Sequence, residues 1–142
     1  NLEDIDIITD NISISSGKLY TWSNGSTSTS QSAKWVSKDF DFGQPNVRKK
    51  VYRGYITYKG TGSVKIYYKV NQEIGWTLAT IKDDGDNILD SQTQTFAREE
   101  FNFTSGTTNS IYSIAIKLES VNPIYSLVVN DISLVYRVKS IR

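Results

Sequence analysis

The feature that most constrains this chain is an apolar/polar alternation of period two, repeated along most of its length. From Ser63 to Val70, Val64, Ile66, Tyr68 and Val70 share one face and Lys65, Tyr67 and Lys69 the other. That is the mark of a half-buried strand, and no 3.6-residue stripe competes with it. Val51 to Tyr58 alternates in the same way, and Lys59-Gly60-Thr61-Gly62 then supplies residues suited to a turn, so the two segments predict a hairpin. Ser110 to Leu118 places Tyr112, Ile114, Ile116 and Leu118 together. Near the end, Tyr125, Leu127 and Val129 share odd parity, whereas Ile132, Leu134, Tyr136 and Val138 share even parity. A slip of one residue flips the buried face, so a β-bulge or corner is expected at Asn130-Asp131. Weaker strands are predicted at Leu2 to Thr9, Lys18 to Trp22, Lys34 to Phe42, Gly75 to Ile81 and Thr95 to Phe103. Eight or nine strands exceed one small open sheet. The expected fold is therefore all-β, an antiparallel β-sandwich with jelly-roll-like character, and residues 1–142 form a single domain. Its core should hold Tyr52, Ile56, Val64, Ile66, Tyr68, Tyr112, Ile114, Ile116, Ile132, Leu134 and Tyr136.

Composition then removes chemistries. The 142 residues include no His, Cys or Met, which excludes zinc sites of the nitrogen and sulfur type, His-dependent nucleophiles and disulfides. Sixteen Lys plus Arg against fifteen Asp plus Glu give a net charge of +1, too little for a dedicated polyanion binder, so a specific nucleic-acid ligand is not expected. No apolar run reaches the ~20 residues of a membrane span. The chain opens at Asn1 without a methionine, and the expectation is a segment of a longer polypeptide. Ser23 to Ser32, Lys82 to Ser91 and Thr104 to Asn109 carry no pattern and predict surface loops.

Four sets of residues invite a functional reading. The acidic loop with Asp83, Asp84, Asp86 and Asp90 gathers oxygen donors that suit calcium, but the spacing is not that of an EF-hand, and a polar loop is the preferred reading, with no metal or cofactor. Asp39 and Asp41 share a strand face, and Glu99 and Glu100 point to opposite faces; neither pair predicts the convergent carboxylates of a glycosidase. Arg48, Lys49 and Arg53, with Tyr55 beside them, predict a cross-strand charge pattern or a subunit contact. Trp22, Trp35 and Trp76 are the candidates for stacking on a sugar, with Trp35 and Trp76 expected to be covered and Trp22 to be the surface-exposed one.

Two segments, Lys34-Trp35-Val36-Ser37-Lys38-Asp39-Phe40-Asp41-Phe42-Gly43-Gln44-Pro45 running on to Lys49-Lys50-Val51-Tyr52, and Asn130-Asp131-Ile132-Ser133-Leu134-Val135-Tyr136-Arg137-Val138-Lys139, resemble structural proteins of tailed bacteriophages. They are similar to the C-terminal part of tail nozzle, or DNA-stabilisation, proteins of short-tailed phages. The resemblance covers roughly residues 34 to 70 and 125 to 142. It implies a non-enzymatic, multimeric component of the virion tail, whose partners are other virion proteins or copies of itself. The rival expectations are a carbohydrate-binding β-sandwich module, with a host-surface glycan as ligand, and, more remotely, a carboxylate hydrolase.

Overall fold

The computed structural model describes residues 33–121 and 127–140 and, ahead of them, two short strands, β1 (Ile12–Ser15) and β2 (Lys18–Thr21). The strand predicted at Leu2 to Thr9 and the loop at Ser23 to Ser32 lie outside the described residues. Contacts divide the chain into two units, Asn1–Gln31 and Ser32–Arg142. In the first, β1 and β2 pair antiparallel, with Ile12 opposite Thr21.

The second unit is a seven-stranded antiparallel sheet with no helix among the described residues. Its strands are β3 (Lys34–Val36), β4 (Lys49–Val70), β5 (Thr77–Leu78), β6 (Thr80–Ile81), β7 (Leu89–Asn102), β8 (Ile114–Ser120) and β9 (Val128–Val138). They run in the order β3-β8-β4-β7-β6, with β5 and β9 also paired to β4.

The predicted hairpin at Gly60-Thr61-Gly62 is not formed. Val51 to Tyr58 and Ser63 to Val70 belong to one strand of 22 residues, and they pair with β7, β8 and β9 instead of with each other. Lys49 to Lys59 lies along β9, and Val64 to Val70 lies along β8. Glycines permit either a turn or a bend, and here Gly60, at φ 96°, sits where the ladder with β7 shifts register. The bend is large. A straight β4 would hold Lys49 and Val70 about 70 Å apart. Yet Ile111 bridges to Lys49 while Ile114 pairs with Val70, and three residues of chain reach only about 10 Å. The ends of β4 therefore come back toward each other. In keeping with this, the Tyr68 ring lies 4.8 Å from that of Phe103, just beyond the Phe101 that pairs with Gly54.

Most of the even-numbered face of β4 builds the core, with Ile56 and Ile66 fully buried and Tyr58, Val64, Tyr68 and Val70 nearly so. Ile114, Ile116, Phe101, Ile111 and Val51 join them in one cluster. Three residues expected there are instead exposed: Tyr52 at 41%, Tyr112 at 40% and Tyr136 at 40%. Tyr52 is displaced by a bulge, since the register with β9 jumps from Val51 opposite Tyr136 to Arg53 opposite Val135, which turns Val51 inward. Tyr112 precedes β8, its N–H held by the Asn71 side chain at 2.8 Å. Tyr136, near the end of an outer strand, stacks on Phe42 at 4.0 Å. Ile132 and Leu134 pack against the core but stay partly exposed. The expected slip is present: Thr57 opposes Asp131 and Tyr58 opposes Val129, leaving Asn130 as the extra residue.

Candidate functional site

The surface that stands out is built from two edges of the sheet. β3 pairs only with β8, and β9 only with β4, among the described residues. After β3, Phe40 bridges back to Ile114, which directs the aromatic alternation of Phe40 and Phe42 toward the apolar side of β9. Between them lies a groove of about 440 Å³ lined by Trp35, Phe40, Ile116, Leu118, Val129, Asn130, Asp131 and Ile132. Phe40 and Ile132 also line a second hollow with Phe42, Leu134 and Tyr136, so the apolar strip runs on along β9. Single exposed apolar side chains are ordinary; a strip of this kind marks an interaction surface. The sequence signal for it is that β9 carries apolar residues on both parities, with Val135 exposed at 40% beside Leu134, a pattern that one-sided burial does not explain.

Of the basic candidates, Lys49 is not at the surface. It is fully buried, and its Nζ donates to the carbonyls of Gln44 and Tyr112. Burial pushes its ammonium below the usual lysine range, with Asp41 acting in the opposite sense. Lys49 is thus a staple tying the turn after Phe42 to the segment before β8. Arg48 is exposed and donates to the Tyr112 hydroxyl at 3.1 Å. Arg53 pairs with Glu100 at 3.5 Å, and Lys82 reaches the same carboxylate at 3.7 Å. Burial alone would raise the Glu100 carboxyl, but Lys82 and Arg53, with hydrogen bonds from Tyr55 and Arg53, hold it below the usual range. Arg98 lies over the Tyr55 ring at 4.1 Å. Arg53 and Tyr55 therefore sit together in a cross-strand charge cluster, whereas Arg48 and Lys49 are engaged elsewhere.

The tryptophans divide. Trp22 lies outside the described residues. Trp76 is half-buried, with Lys69 and Lys117 ammonium groups 5.1 and 5.2 Å from its ring. Trp35, expected to be covered, is 49% exposed, because β3 is a three-residue edge strand whose residues are all exposed. It lines the groove, as do Asn130 and Asp131.

Several of the acidic side chains accept hydrogen bonds, whereas Asp39 Oδ1 is buried without a partner among the described residues. Asp84 accepts from the Asp86 N–H, Asp86 accepts from the Ile88 N–H, and Asp90 accepts from the Ser63 hydroxyl. Asp83 and Asn87 adopt positive φ, 62° and 58°, as turn residues of these types can. Asp39 and Asp41 border a separate hollow of about 270 Å³ with Asn71, Gln72, Tyr112 and Ser113, and Asp41 caps its own turn by accepting from the Gly43 N–H at 2.9 Å. No group of three or more metal-ligating residues occurs among the described residues. Melting temperatures with calcium and with chelator should agree; a rise of several degrees with calcium would make Asp83 to Asp90 a site, because a ligand of the folded state stabilises it.

No protein-family model matches the chain, nor does any curated protein or solved structure. Among the described residues no helix is long and apolar enough to cross a membrane.

Proposed function

We propose that this chain is a non-enzymatic structural or adhesion component of a bacteriophage tail assembly, located in the virion and acting through protein-protein contacts. On this reading the bent β4 contributes to both layers of a jelly-roll-like sandwich, and the apolar strip meets neighbouring protein. The observation that carries it is the continuity of that strip, from Trp35 and Phe40 through Ile132 and Leu134 to Tyr136, along an outer strand with no second strand beside it among the described residues. Aromatic and aliphatic side chains in a contiguous hollow are what the centre of a protein interface requires, with polar groups at the rim.

The test has two arms. Antibody against the chain should label the tail of intact particles by electron microscopy, and label confined to unassembled protein would sink the virion reading. In parallel, the chain should neither bind a glycan array nor turn over glycan substrates. A second reading, carbohydrate binding, is favoured by one observation: the exposed Trp35 lines the same groove as Asn130 and Asp131, so one hollow holds both a flat apolar ring and hydrogen-bonding groups. Glycan binding by a monomeric chain, abolished by Trp35→Ala, would replace the first reading with the second.

A further inference from the structure

The partner of the β9 edge can be read from β9 itself. The Lys139 N–H donates to the Arg48 carbonyl across the β4–β9 ladder at 2.8 Å, and the Val51 N–H, opposite Tyr136, turns away from β9 to the Thr108 carbonyl at 3.0 Å. In an extended chain the direction of the backbone groups alternates. The N–H and C=O groups of Ile132, Leu134 and Tyr136 therefore face the open side of β9, where no strand pairs among the described residues. Such an edge templates another strand unless something blunts it, and from Asp131 to Val138 there is no proline and no lysine to do so.

We propose that this edge pairs with β9 of a second copy of the chain, antiparallel and centred on Leu134. The register follows from charge. Asp131 and Arg137 lie at equal distances on either side of Leu134. Both are exposed, and neither has an ion-pair partner among the described residues. Among the described residues the Asp131 carboxylate accepts its hydrogen bond from the Ser133 hydroxyl, at 3.1 Å. A two-fold axis through Leu134 places Asp131 opposite Arg137 of the second copy, and Arg137 opposite its Asp131. The same axis sets Ile132 against Tyr136, Ser133 against Val135 and Leu134 against itself. The apolar face of one copy thus continues into that of the other, and the charged face pairs opposite signs twice. Moving the centre by one residue loses both charge pairs. Moving it by half a residue, so that Leu134 meets Ser133 or Val135, sets outward-facing backbone groups against inward-facing ones. A strand that complements itself in this way forms a closed, isologous pair, not an open array. The inference deepens the protein-contact reading above and rests on it only for the view that the strip is a contact surface.

Sedimentation velocity on the whole chain tests it. The wild type should show a concentration-dependent dimer. Asp131→Arg and Arg137→Asp each place like charges together twice, and each should weaken the dimer about tenfold or more, with a melting profile that matches the wild type at concentrations where the wild type is monomeric, because both side chains are exposed. Mixed in equal amounts, the two variants restore both charge pairs and should form a mixed dimer at least as tight as the wild type. Failure of the mixture to associate overturns the proposal. So does a dimer that ignores both reversals, although self-association would then stand. A chain monomeric at all concentrations overturns the pairing alone. Only tail labelling or glycan binding decides the broader reading.

Discussion

Gly54→Ala should cost about 3 kcal/mol, near the top of the usual range for overpacking a core, read as a lowered denaturant midpoint with an unchanged slope. Gly54 lies in β4 between Phe101 of β7 and Leu134 of β9. The Phe101 ring, which is fully buried, lies across it so closely that a Cβ at position 54 would fall 2.1 Å from Cζ and 2.5 Å from Cε2. The ring cannot easily retreat, because Phe103 packs edge-on against it at 5.8 Å and Tyr68 packs against Phe103 in turn. Phe101→Leu removes the flat ring and leaves room for a methyl group. In that background Gly54→Ala should cost less, with a coupling of about 1 to 2 kcal/mol between the sites, as expected for residues in contact. Equal costs in both backgrounds would show that the added methyl meets something other than Phe101.

Lys49→Met is the second substitution expected to have a large effect. Methionine fills much of the same volume, so the change isolates the ammonium group. Without it the Gln44 and Tyr112 carbonyls lose a charged donor inside the protein. Each unsatisfied acceptor costs about 1 to 3 kcal/mol. The sum should be about 3 kcal/mol after partial relaxation, since the Gln44 carbonyl also accepts from the Val47 N–H. A loss below about 0.5 kcal/mol, the level of an ordinary surface change, would mean that Lys49 is solvated and would return it to the set of surface contacts. Arg48→Met, one position away and exposed, is the matched control and should fall within that surface range.

Legibility in the sequence followed one physical distinction. Where a strand buries one face without interruption, as Val64 to Val70 does, parity alone identifies the buried side chains. It also located the irregularity at Asn130, because that bulge lies between two apolar runs of opposite parity and so leaves its trace in the pattern. The bulge at Tyr52 left none, because Val51 and Tyr52 are both apolar and either parity reads as a core face. The early start of β7 was hidden for a different reason. Ser91 is buried and donates to the Gly60 carbonyl at 2.6 Å, so a buried strand position there is filled by a hydroxyl, and Leu89 to Ser91 reads as loop. The hairpin expected at Gly60-Thr61-Gly62 failed because glycine fixes only what the backbone is allowed to do. Which strands lie alongside decides whether it turns or bends. At the candidate site, alternation over Lys34 to Phe42 predicts a covered Trp35. Only three of those residues form a strand, and an edge position leaves the ring in the open.

The bent β4 also sets an order of events when the protein is made. The ribosome completes Lys49 to Val70 first, but the strands that flank it, at Leu89 to Asn102, Ile114 to Ser120 and Val128 to Val138, emerge afterwards. Until the last of them is free, a long strand carrying Val51, Ile56, Val64, Ile66 and Val70 of the core waits with unpaired edges. Chains at that stage are the species most prone to stick to one another, and the closing contacts span much of the sequence, which slows their formation. Crowding many nascent copies together, as on a polysome, is then the condition under which this protein is most exposed to misassembly. Its yield of folded product should depend on the pace of translation past residue 70 more than on the stability of the finished fold.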